Sequence, residues 1–323
     1  MRFLRKKIIA FLFVLCSLPF LVSLDPITYN SSYYAKYESP NGILFLSYSE
    51  SWNEQHLEEL YQELIKNKHG EEMNLLQEVR VMDGPSPSNN RITGIYHPFI
   101  SSITLYKGNE HTNAREYRDT LSHEYGHHFA YYYFPSHHFP FSKWAKLRGL
   151  NDIPIHWNSF FNYSVSSHEW YPQEIFADDY VLLYGATDEA NRDDVYSNEA
   201  FYMRTEHENQ QLTNVLGNQE LQQFIEGETG IKIGDDRKLK TPKLSLVTDD
   251  SLTFEIEKKE NVAYRLNLAD YEYYEITDDK SGSVTFSIDH IDLPENEVIS
   301  IDVLDLETSI GFLTDDIRLH LED

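Results

Sequence analysis

The chain has 323 residues, with 53 acidic against 27 basic side chains and a formal charge of −26. Such an excess of acid excludes nucleic acid and anionic membrane surfaces as partners by simple repulsion, and it suits solubility outside the cell. The length has room for one moderate catalytic domain and a small accessory one, and a single cysteine, Cys16, excludes a disulfide framework.

The N-terminus carries Arg2, Arg5, Lys6 and Lys7 ahead of an uncharged apolar run over residues 8–24 that encloses Cys16. This predicts an export signal over 1–24, to be set apart from the fold. The run is at the short limit of a membrane span and lacks a good small-x-small cleavage site, Ser23 being the nearest. A secreted form and an N-terminally anchored form both fit. Without Cys16 the exported chain depends on its core alone.

Residues 42–49 predict a buried strand, and 53–67 a helix with Leu57, Leu60, Tyr61 and Leu64 on one face. Residues 78–82 predict a short strand, and the Asp-Gly-Pro-Ser-Asn composition of 83–90 predicts a loop. A hairpin over 91–96 and 100–107 follows, turning around His97-Pro98.

A helix over 115–133 comes next, with Thr112 or Asn113 as its cap, Glu116 at the capping-box distance from Asn113, and Tyr117, Leu121, Tyr125 and Phe129 as apolar bulk. It contains Ser122-His123-Glu124-Tyr125-Gly126-His127-His128. Residues four apart on a helix lie about 40° apart around its axis, so the imidazoles of His123 and His127 point one way and can share a cation. Glu124, one step round, is placed to hold a water rather than the metal. Gly126 lets another backbone or a substrate approach. His128 is about 100° round from His127, too far to bind the same ion. His137 and His138, in a loop beyond Pro135, read as packed or solvated bystanders.

Residues 139–168 are aromatic and irregular, with Phe141, Trp144, Trp157, Phe160, Phe161 and Tyr163. Ordinary core packing accounts for them, as does an insertion that caps a cleft. Pro172 then starts a helix in which Glu174 and Asp178 are again four apart. Alone, that pair also fits an amphipathic surface helix. Downstream of His-Glu-x-x-His it meets two needs, a third protein ligand and a carboxylate to fix the tautomer of a ligating histidine. Glu174 is the expected ligand and Asp178 the expected orienting group.

At HEYGHH and EIFADDY the sequence resembles the gluzincin metallopeptidases, the thermolysin-like zincins, and most of all their compact lethal-factor-like branch. The resemblance covers 122–180. It implies a zincin-like fold, one zinc ion per chain held by His123, His127 and Glu174, Glu124 as the base, Asp178 supporting His123, and an edge strand before the zinc helix that pairs with extended substrate. By the last analogy the strand over 100–107 is expected at the cleft, with an internal sheet strand as the alternative. The metzincin pattern is excluded, since Ala130 and Tyr133 stand where it requires Gly and His. The lethal-factor-like branch places a transition-state tyrosine where this chain has Ser167; Tyr171, Tyr163 and His168 are the nearby substitutes, and Tyr171 and His168 are taken as the candidates.

Residues 188–209 are polar and acidic, with Glu199 a weaker rival to Glu174, and 218–226 predict a last helix. From 238 on, short alternating runs over 244–247, 252–256, 263–268, 284–288, 298–303 and 317–321 predict a β-sandwich of the immunoglobulin or fibronectin type III kind. It reads as a spacer or as a module that binds a surface or protein partner. The whole predicts an α+β chain with a signal or anchor over 1–24, a catalytic domain over 25–236 and a small all-β domain over 237–323. The expected function is that of an exported zinc endopeptidase acting on protein or peptide. The alternative is a catalytically silent cell-surface binding or adhesion protein.

Overall fold

The computed structural model describes residues 32–159, 163–248, 250–288 and 297–319. The expected export signal with Cys16, and Phe160 and Phe161, lie outside the described residues. Among the described residues no helix is long and apolar enough to cross a membrane.

A mixed sheet opens the chain, formed by β1 (Ala35–Glu38), β2 (Leu44–Ser47), β3 (Glu78–Val81), β4 (Gly94–His97) and β5 (Ser102–Leu105) in the order β1-β2-β3-β5-β4. The inner three strands run parallel, and β1 and β4 pair antiparallel at the two edges. Phe45, Val79, Val81, Ile103 and Leu105 lie in register on one face and are wholly buried, and Leu46, Arg80, Ser102 and Thr104 on the other face are nearly so, as strands covered on both faces require. The crossover from β2 to β3 is α1 (Glu54–Leu64), capped by Asn53, whose side chain accepts from the His56 N–H. Its Leu57, Leu60 and Leu64 are fully buried, each contributing about 1.5–3 kcal/mol.

The strand over 100–107 is not the edge. β5 lies between β3 and β4, all four of its residues are buried, and the free edge belongs to β4, its hairpin partner. The physical reason is the small size of Ser102 and Thr104, which with Ile103 and Leu105 makes both faces of β5 buriable, whereas Gly-Ile-Tyr-His of β4 stays half-buried throughout. β1 was not evident in sequence, because Ala-Lys-Tyr-Glu has only two apolar side chains to alternate.

The remaining α-helices among the described residues are α2 (Arg118–Tyr133), α3 (Lys143–Leu147), α4 (Pro172–Tyr184), α5 (Glu199–Tyr202) and α6 (Gln219–Thr229). A single 3-10 turn, Ala114–Tyr117, leads into α2, with Asn113 and Glu116 forming a reciprocal capping box. Buried residues run all the way round α2, because the sheet packs on one side and α4 on the other. Gly126 sets the distance between the two helices. A Cβ there would stand 2.9 Å from Ala177 O and 3.1 Å from Tyr180 Cβ, so the backbone that approaches is that of α4. In the aromatic segment, Trp144 of α3 is buried and packs on Phe176 with ring centroids 4.9 Å apart, while Phe139 and Phe141 stack in the open.

The C-terminal part holds β6 (Lys243–Val247), β7 (Ser251–Glu255), β8 (Val262–Leu268), β9 (Tyr271–Thr277), β10 (Ser283–Ser287), β11 (Val298–Asp305), β12 (Gly311–Leu313) and β13 (Ile317–Arg318). They form two antiparallel sheets, β10-β7-β6 and β12-β11-β8-β9, with β13 on β11. Leu252, Phe254, Val284 and Phe286 of the first join Val262, Tyr264, Leu266, Ile299 and Ile301 of the second in one apolar cluster. β9 escaped the sequence reading because Tyr-Glu-Tyr-Tyr-Glu mixes charge with aromatics on an outer strand. β8 and β11 are buried on both faces, and the second face carries Ala263 and Leu304 against Val195, Ala200 and Phe201 of the preceding part. At the level shown, the chain is α+β.

Candidate metal centre

Helix α2 presents His123 and His127 on one side, their rings 4.9 Å apart and nearly perpendicular. Glu174, in the first turn of α4, meets both: its Oε2 is 3.2 Å from His123 Nε2 and 3.1 Å from His127 Nε2. One ligand atom from each of the three lies within 4.8 Å of the others, so the group could hold a metal ion. The donor set, two imidazoles and one carboxylate, is that of a site for a borderline metal with a further position left for water or substrate. Solvent reaches it, since 18% of the His123 side chain and 29% of the His168 side chain are exposed.

One helical turn beyond Glu174, Asp178 Oδ1 lies 2.9 Å from His123 Nδ1. The imidazole donates there through Nδ1, so Nε2 is the nitrogen turned toward the ligand cluster. Burial favours protonation of Asp178, but the bond to His123, the charges of His207 and His123 and the Glu208 amide together outweigh it and lower the carboxyl pKa. Glu174 is held well below the usual carboxylate range in the same way, by His127 and the other imidazoles against the effect of burial. His123 is pushed well above the ordinary imidazole range, because Asp178 and Glu174 overcome its desolvation.

Glu124 is buried and stands beside the sheet edge. A Cβ on Gly94 of β4 would come within 2.7 Å of its Cγ and Oε1, so only glycine lets the strand lie so near the carboxylate. Burial raises the Glu124 pKa, opposed by the imidazoles of His127 and His123.

The two residues taken as candidates for a transition-state donor lie in different settings. His168, at the end of the aromatic segment, enters the site: its Nε2 is 3.2 Å from Glu174 Oε2 and its ring stacks 5.9 Å from that of His123. Its Nδ1 donates to Glu208 Oε2 at 2.6 Å. Desolvation would lower its pKa, but the two carboxylates raise it to about 10. Tyr171, the residue before Pro172, is buried; its hydroxyl accepts from the Ser164 N–H at 2.7 Å and its ring stacks on Tyr163. Tyr163 itself is half exposed, with its pKa raised by burial and by the carboxylates of Glu174 and Glu124.

His128 is packed, its Nε2 donating to Glu72 O at 2.8 Å and its Nδ1 2.9 Å from Tyr96 Oη. His137 and His138, in the turn beyond Pro135, are packed against Tyr131 and buried. Glu199 is exposed on α5, and the metal-capable group does not include it.

Sequence reasoning passed over Glu208 and His207. The Glu208 N–H donates to Asp178 Oδ2 at 2.9 Å, and His207 Nδ1 lies 3.5 Å from the same oxygen. Nothing periodic marks them, and only His-Glu-Asn within an acidic stretch was there as a signal. No family model and no curated protein matches the chain.

Proposed function

We propose that this chain is an exported zinc-dependent endopeptidase, with His123, His127 and Glu174 as ligands of one zinc ion. The observation that carries the reading is the convergence of these three donors, with Asp178 on the far nitrogen of His123 and a buried carboxylate, Glu124, between the donors and a sheet edge. A zinc ion bound there would supply a Lewis acid and a water whose pKa falls toward about 7. Glu124, with its pKa raised by burial, takes a proton from the attacking water and passes it to the leaving nitrogen. β4 is the edge strand beside Glu124, and extended peptide adds to it as a further antiparallel strand. His168, braced by Glu208 and stacked on His123, is the better placed donor to the developing oxyanion, since Tyr171 is buried with its hydroxyl at the Ser164 amide.

The aromatic segment over 139–168, which brings His168 to the site, is read as the cap of the cleft, and the C-terminal sheets as a sandwich of the immunoglobulin or fibronectin type III kind. The test is metal content and hydrolysis of unfolded protein by the purified chain beside Glu124→Gln. One zinc per chain in both, with hydrolysis reduced roughly 10²–10⁴-fold in the variant, is the expected result. Zinc in both without hydrolysis in either would favour the binding-protein reading, and no zinc in either would end the metal reading.

A further inference from the structure

Residues 204–209 have no helix and no strand ladder, yet both ends of this strap are fixed. At one end the Arg204 Nη1 is 2.8 Å from Asp302 Oδ1 of β11, and the same carboxylate takes Arg265 of β8 at 2.7 Å. The next residue joins the C-terminal part through its backbone: the Thr205 N–H donates to Ser309 O at 2.7 Å, and its carbonyl accepts from the Gly311 N–H at 3.0 Å. A Cβ at Gly311 would lie 2.9 Å from Arg204 Cδ, so the approach of the strap to β12 is built on glycine. At the other end the Glu208 N–H holds Asp178 Oδ2, the Glu208 carboxylate holds His168, and the Asn209 side chain donates to Glu169 O at 3.1 Å.

We propose that the C-terminal sheets position the metal site through this strap, with Arg204 and Asp302 as its positioning residues. An irregular segment gives up conformational entropy at each ordered residue, and a polar carboxylate pair such as Asp178–Glu208 amide holds a fixed geometry only where something offsets that loss. Asp302 meets two guanidinium groups, Arg265 within the sheet and Arg204 on the strap, and buried ion pairs of this kind add little net stability but are well suited to fixing one register. Asp302 is 1% exposed, on the face of β8 and β11 that meets the preceding part of the chain. The sheets therefore set where Thr205 and Arg204 lie, and within four residues that placement reaches the orienting carboxylate of His123 and the partner of His168.

This inference rests on the metal reading for its consequence but not for its contacts, and the test separates the two. Arg204→Met in the full chain removes the ion pair to Asp302, together with the local one to Glu206, and leaves Asp302 paired with Arg265. Amide hydrogen exchange at Glu208 and Asn209 is followed in the metal-free protein, and zinc affinity and the visible spectrum of the cobalt(II) form in the loaded one. The expected result is exchange at these amides at least about tenfold faster, zinc binding weakened by up to about tenfold, and a shifted cobalt spectrum. A folded variant with unchanged exchange, or with faster exchange but unchanged zinc affinity and cobalt spectrum, overturns the proposal. Should Arg204→Met fail to fold, Asp302→Asn keeps the size of the side chain and is judged by the same readouts. If the parent binds no metal, the metal reading fails by itself, and exchange together with the His168 ring NMR shifts decides the coupling: movement of both upholds it, and movement of neither or only one overturns it.

Discussion

In α2 and α4 the groups that converge on the site stand four apart, His123 with His127 and Glu174 with Asp178, so each helix turns both of its groups to one side. The 204–209 strap has no period, and His207 and Glu208 arrive because the backbone behind them is tied to β11 and β12. The helical pairs are held by local hydrogen bonds, and their mutual distance by one glycine, Gly126. The strap is held by residues about a hundred positions further along the chain. Geometry encoded by spacing survives local change, while geometry encoded by long-range anchors fails when either end is cut.

Protonation is the coarsest way to disturb the helical arrangement. His138, buried on Tyr131 of α2, has its pKa lowered to about 4 by burial and then by the charge of His127. Its folded value is below the unfolded value of about 6.5, so the unfolded chain takes up the proton first as pH falls. Stability is full above about pH 6.5 and is lost toward pH 4, by about 3 kcal/mol from this residue at most. His137, lowered further by burial and by His138, acts with the same sign. Urea denaturation of metal-free protein at pH 7 and pH 4.5 measures the loss, and the comparison with His138→Gln isolates it from carboxylates that titrate in the same range. The variant is expected to lose less stability than the parent; an equal loss would mean that the imidazole is not kept neutral in the fold.

Asp178 is where the two arrangements meet, since it accepts from His123 on α2 and from the Glu208 amide on the strap. Asp178→Ala removes the group that fixes the His123 tautomer, and zinc affinity is expected to fall on the order of 10 to 100-fold. Competition with a chelating dye gives the number. Unchanged affinity would show that His123 needs no orienting carboxylate.

How much could be read beforehand follows the same division. The capping box at Asn113, the apolar face of α1, Pro172 at the start of α4 and the four-residue spacings were all local signals. Which hairpin strand forms the free edge was not, because β4 and β5 have similar patterns and their order depends on what β3 pairs with. Whether His137 and His138 are packed or solvated was equally open, since nothing beside Pro135 shows that Trp144 and Phe176 pack on His137 and Tyr131 on His138. Glu208 could not be matched to His168 by any spacing rule.

Glu208→Gln is the finest probe of the difference. The Glu208 side chain is 49% exposed, so its ion pair with His168 is screened and contributes about 1 kcal/mol or less. If His168 serves the developing oxyanion, the substitution lowers kcat by no more than about fivefold and leaves KM and zinc content as they were, since only an interaction strengthened in the transition state is lost. The Glu208 amide is untouched by this change, so Asp178 keeps both of its partners. Steady-state kinetics beside zinc titration of the same preparations separates the cases. A variant that loses zinc as Asp178→Ala does would place the strap's carboxylate within the metal-holding set, and one with unchanged kcat would remove His168 from the chemistry and return that role to Tyr163 or Tyr171.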